Sequence, residues 1–224
     1  LQLRGERGGH RGGVTDARPD SWILYAAVRS DEARRVRASL RSLTVVVEGG
    51  TAAVTGAAPP EADVFARAMA HDRVIGRLLG CCSSLVPFRL GVAAPPTDDL
   101  RALLRANAAE FERQLDRVRD CVEVGLKIRA KNEAEGAARF DLAPVRALVP
   151  LRCDRQERIT ALSDGLLFEG VYLLARAAID DFWAALDRMR SQTPERAILG
   201  VGPFAPYSFC DLHIEHPRTS ERSE

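Results

Sequence analysis

His213-x-x-His216 is the one spacing in this 224-residue chain that suggests a metal ligand pair, since two imidazoles so close can meet on one side of a turn. No third ligand is spaced to complete a site, and the remaining histidines, His10 and His71, stand far away in sequence. The acid pairs Asp98-Asp99 and Asp180-Asp181 could move protons. Each falls at a helix start or on a helix surface, where capping and solvation account for it. Gly200-Val-Gly-Pro-Phe-Ala205 formally satisfies the G-x-G-x-x-A dinucleotide fingerprint. That fingerprint needs a helix N-terminus to receive the pyrophosphate, and Pro203 and Pro206 forbid the helix. No G-x-S-x-G elbow, H-E-x-x-H pair or Walker loop occurs. The chain therefore reads as a non-enzyme, with no catalytic, cofactor-binding or metal-binding residues to assign and no cofactor.

The five cysteines, Cys81, Cys82, Cys121, Cys153 and Cys210, contain no C-x-x-C pair. Adjacent Cys81 and Cys82 suit neither a disulfide nor a metal clamp, so buried free thiols in a reducing cytoplasm are expected. Thirty-two Lys and Arg balance 31 Asp and Glu. No basic block is interleaved with aromatics, which argues against a nucleic-acid partner. No window approaches the ~18 apolar residues of a membrane span.

The elements that would position any site follow from hydrophobic pattern and breakers. Residues 1–20, Gly- and Arg-rich, read as a disordered leader. Trp22 to Val28 is a buried strand, Asp31 to Leu40 a short helix, and Leu43 to Glu48 and Thr51 to Thr55 two strands joined at Gly49-Gly50. Pro59-Pro60 opens a helix to about Leu79, and Ser84 to Leu90 is a strand stopped by Gly91. One amphipathic helix follows Pro95-Pro96, with Leu100, Leu104, Ala108, Phe111, Leu115 and Val118 on its apolar face. Val122, Val124, Leu126 and Ile128 alternate with Glu123, Gly125, Lys127 and Arg129 as in a half-buried strand.

These elements predict an α+β fold with a ferredoxin-like antiparallel or mixed sheet carrying helices on one face, over residues 21–130. A helical linker (131–160) follows, then a smaller C-terminal α+β domain (161–216) and a tail (217–224). In the C-terminal domain, Gly165 to Leu174 reads as a strand, Ile179, Phe182, Trp183, Leu186 and Met189 as one helix face, and Ala197 to Val201 as the last strand.

That last strand feeds Gly202-Pro-Phe-Ala-Pro-Tyr-Ser-Phe209, where two prolines stop any regular element and three aromatics sit on the resulting turn. Phe204, Tyr207 and Phe209 admit two readings. They form a satellite cluster pinning the strand to the core, or they are stiff partner anchors that lose little entropy on binding. Arg89, between a strand and Gly91, either reaches a carboxylate of its own chain or offers its guanidinium to an acidic partner.

The run 202–209 resembles the GPWPPYSF signature of the gas vesicle accessory proteins of the GvpF/GvpL family, with Phe204 in place of Trp and Ala205 in place of Pro. Leu85-Val-Pro-Phe-Arg-Leu-Gly91 is similar to that family's V-L-P-L-R-F-G element, and Glu123 and Lys127 match its E-x-x-x-K strand. The resemblance runs in order over residues 22 to 212. It implies an accessory or minor structural protein of gas vesicle assembly, in the cytoplasm and on the gas vesicle. Such a protein would bind the hydrophobic major shell subunit and other accessory proteins and support nucleation or growth of the vesicle. Arg89, Phe204, Tyr207 and Phe209 are the implied partner-binding residues. The rival is a ferredoxin-like small-molecule-binding or enzymatic module.

Overall fold

The computed structural model describes residues 22–60, 63–131, 145, 152–158 and 166–215. The leader (1–20) and tail (217–224) expected from the sequence, and most of the expected linker, lie outside these residues. The α+β architecture is present, as two four-stranded antiparallel sheets.

The first unit contains β1 (Trp22–Arg29), α1 (Ala33–Ser39), β2 (Thr44–Glu48), β3 (Thr51–Ala57), α2 (Val64–Cys81) and β4 (Leu85–Pro87). Its sheet runs β2-β3-β1-β4, every pair antiparallel. This is the split β-α-β-β-α-β arrangement of ferredoxin-like folds. Gly49, at φ 57, makes the β2–β3 turn. Asp63, whose carboxylate accepts the Ala66 N–H at 2.8 Å, caps α2, so the helix starts a turn later than Pro59-Pro60 suggests.

Helices cover both faces of this sheet, not one. α1 and α2 pack Val36, Ile75 and Leu78 against Tyr25, Val28 and Leu85. On the opposite face α3 (Thr97–Ala106) and α4 (Ala108–Arg117) pack Leu100, Leu104, Phe111 and Leu115 against Leu24, Ala27, Val46, Val86 and Phe88. The reason is in β1 itself: Ile23 to Val28 is apolar at every position, so both of its sides need cover. The single helix expected over α3 and α4 is broken at Asn107, whose amide is recruited elsewhere.

The second unit contains β5 (Cys121–Ala130), β6 (Arg152–Arg158), β7 (Leu166–Ala175), α5 (Ile179–Gln192) and β8 (Arg196–Phe204). Its sheet runs β6-β7-β5-β8, again antiparallel throughout. Two expectations change. β5, grouped by sequence with the N-terminal domain, hydrogen-bonds to β7 and β8 at the centre of the second sheet. Arg152–Arg158, expected inside a helical linker, is a strand. Its Arg, Gln and Glu residues favour helix intrinsically, and pairing with β7 overrides that preference.

Numbered within each unit, both sheets have the same order, second-third-first-fourth. β4 and β8 are therefore equivalent edge strands, and α2 and α5 equivalent crossover helices. The crossover-helix sides of the two units share one continuous core, which holds Ile75 and Leu78 together with Val124, Phe168, Phe182 and Leu186. At the seam the Asp120 N–H donates to Ser83 O at 2.7 Å, and Arg176 donates to Asp120 O and Cys82 O, each at 2.8 Å.

Candidate functional site

The two proline-bearing motifs occupy matching places: Pro87 ends β4 with Phe88 just beyond it, and Pro203-Phe204 ends β8. An edge strand is where a missing backbone donor is tolerated. Their surroundings differ. Phe88 is 8% exposed beneath the α3–α4 layer, and Phe204 is 41% exposed.

The signature turn wraps the end of the second sheet. Gly202 sits at φ 122 within a register shift between Val201 and Phe204, and its peptide bond to Pro203 is cis. A Cβ at Gly202 would lie 2.9 Å from Glu123 O, so the close strand approach and the backbone angle both require glycine. Beyond Phe204, Ala205 and Tyr207 turn into the shared core. Phe209, 1% exposed, packs on the other side of the sheet against Cys121, Leu173 and Val171.

Glu123 of β5 holds this turn. Its carboxylate accepts the Ser208 N–H at 2.7 Å and the Ser208 hydroxyl at 3.0 Å. Burial pushes the Glu123 carboxyl above its usual range, and the two Ser208 bonds pull it back in part. Burial likewise pushes the Tyr207 phenol up, with the negative charges of Asp72 and Glu123 adding to the shift. Asp72 belongs to α2, so Tyr207 lies at the junction of the two units.

After the turn the chain runs back over the first unit. Cys210, Leu212 and Ile214 pack against the α3–α4 layer. Asn107 bonds the strap reciprocally: its Nδ2 donates to Glu215 O at 2.9 Å and its Oδ1 accepts the Glu215 N–H at 2.7 Å. The same Nδ2 donates to Leu103 O, and Gln114 Nε2 donates to Asp211 O at 2.7 Å.

Of the four sequence candidates, Phe204 is exposed and Tyr207 is half-buried on the core. Phe209 is enclosed and offers no surface to a partner. Arg89 is exposed beyond β4, and no ion pair among the described residues engages it. No hydrogen bond or ion pair among the described residues joins Arg89 to the signature turn. Sequence reading missed Leu199 and Val201, exposed on β8, and the apolar start of α2, where Val64, Phe65 and Met69 face solvent. In β8 the signal was present as alternation, Ile198 and Gly200 facing α5 and Leu199 and Val201 facing away.

A family model described as gas vesicle synthesis protein GvpL/GvpF matches residues 21–145. The chain is 31% identical over 135 residues to gas vesicle protein F of Haloferax mediterranei, a match spanning 58% of this chain and 62% of that one. It is 27% identical over 187 residues to gas vesicle protein F2 of Halobacterium salinarum, spanning 81% of this chain and 82% of the relative. Among solved structures, gas vesicle protein GvpF from Anabaena superposes with a TM-score of 0.70 at 15% identity, covering 88% of this chain and 98% of that one. GvpF from Microcystis aeruginosa gives 0.68 at 13%, covering 87% and 100%. At these identities the two structures speak for the fold.

Proposed function

Because this chain belongs to the gas vesicle synthesis protein GvpL/GvpF family and so takes part in gas vesicle formation, we propose that it is an accessory protein that binds the hydrophobic shell subunit and supports nucleation or growth of the vesicle. The observation that carries this reading is the exposure of Phe204 on a turn whose following residues are held in place. Ala205 and Phe209 are buried, Tyr207 is packed, and Ser208 is bonded to Glu123. A large apolar ring held rigidly in water is the geometry of a binding anchor, because little conformational freedom remains to be lost on association. A shell subunit with a wide apolar face would aggregate unless a partner covered it. The anchor lies on the second sheet, and Arg89 is available on the first for an acidic patch of a partner.

The test is co-expression with the gas vesicle major shell subunit, followed by affinity capture and assay of the soluble fraction. Wild-type protein is expected to retain the subunit in solution through washing, and Phe204→Ala to lose most of it with an unchanged far-UV spectrum. A folded wild-type protein that retains none, while the subunit aggregates, overturns the reading.

A further inference from the structure

The internal repeat shows what the open face of the second sheet is built to carry. In the first unit, the face turned away from the crossover helix is roofed by α3 and α4, with Phe111 and Leu115 of α4 packed on Val86 and Phe88 of the edge strand side. In the second unit the equivalent face bears Leu199, Val201 and Phe204 along β8, exposed by 54%, 36% and 41%. These are three of the seven large apolar side chains left exposed among the described residues, all on one strand and one face. Val201 lies across Gly125 of β5, where a Cβ would come within 2.9 Å of it, so the floor beside the stripe is flat. Lys127 and Glu169 pair at 2.9 Å farther along the face and neutralise each other. Phe209 fills only the corner, against Cys121 and Leu173.

We propose that the open face of β5 and β8 docks an amphipathic helix of the shell subunit, seated as α4 is seated on β1 and β4. This rests on the shell-subunit reading above and gives it a surface. The dimensions agree: Leu199 to Phe204 spans roughly 17 Å of strand, which is about three helical turns. The helix this face fits carries large apolar residues at i, i+4 and i+7, the spacing of Phe111, Leu115 and Val118 in the roof of the first unit. It carries no charge on that stripe, because Leu199, Val201 and Phe204 offer none to meet it.

Two variants and a cross-link test this. L199K/V201K changes only exposed side chains and is expected to keep the melting temperature while cutting retained shell subunit by about tenfold or more. Phe65→Lys on α2, an equally exposed site elsewhere, is expected to leave retention unchanged. With p-benzoylphenylalanine in place of Leu199, photo-cross-links are expected on shell-subunit residues spaced three or four apart. Cross-links spaced by two mean a strand docks there and overturn the helix. Undiminished retention by L199K/V201K overturns the surface while leaving the function standing, whereas a wild-type protein that retains nothing removes both. Cross-links between two copies of this chain, with none to the subunit, assign the face to self-association and overturn the proposal.

Discussion

Glu123 and Ser208, 85 residues apart, are joined by two hydrogen bonds to one carboxylate, and through them the central strand of the second sheet sets the position of the signature turn. Glu123→Ala leaves the Ser208 N–H without its acceptor and is expected to cost about 1–3 kcal/mol. Glu123→Gln keeps an acceptor for the N–H and a donor for the hydroxyl. The folded-state carboxyl titrates above its usual range, so ionising it costs stability as pH rises from about 4.3 through that higher value. Above this window Glu123→Gln is expected to equal or exceed wild type in denaturant midpoint. A Gln variant as unstable as the Ala variant would remove the carboxylate from this role.

Phe204 and Phe209 stand five positions apart and have opposite fates. Phe209→Ala empties a closed site and is expected to cost ~3–5 kcal/mol, read as a shift in urea midpoint. Phe204→Ala, at 41% exposure, is expected to cost well under half of that. Equal losses would place both rings in the core.

His71 is buried and stacked on Tyr25 at 5.1 Å, with no hydrogen-bond partner at Nε2 among the described residues. Burial lowers its pKa, opposed by the nearby Asp72 charge. The unfolded chain therefore takes up this proton first, so stability is full above about pH 6.5 and falls as pH drops below it. His71→Phe keeps the stack without the orphaned nitrogen. Its melting temperature is expected to stay flatter between pH 6.5 and 5 than that of wild type. Parallel pH profiles would locate the acid sensitivity elsewhere.

Gly202→Ala places a methyl group 2.9 Å from Glu123 O at a φ of 122 that L-residues avoid. The expected loss is about 1–3 kcal/mol, again from denaturant midpoints, with the largest rise in amide exchange on β8. A neutral effect would mean that the β5–β8 approach can widen without penalty.

Much of the fold could be read from side-chain pattern, because burial imposes a local period. The alternation of Val122, Val124, Leu126 and Ile128 marked β5 as a strand, and the apolar run in β1 marked a buried strand, although cover on both of its faces was not foreseen. Sheet membership is a long-range fact, and nothing near β5 says that its neighbours are β7 and β8. The helical period also runs unbroken from Leu100 to Val118. The break at Asn107 comes from an amide engaged by Glu215, 108 residues later. At the candidate site, the family signature located the turn that carries both rings. It could not separate the exposed ring from the buried one, since both are phenylalanines beside turn residues and only the wrap around the sheet end divides them.

The strap has a consequence for how the molecule is made. Residues Cys210 to Glu215 leave the ribosome about a hundred positions after the helices they cover. N-terminal units fold first during synthesis. The first unit must therefore wait with its Leu103 side uncovered while the second is still being translated. Docking of the strap is thus a late event, and it occurs only in chains whose second unit has emerged and folded. A nascent chain stalled before Leu212 presents an apolar seam that Leu212 and Ile214 have yet to cover.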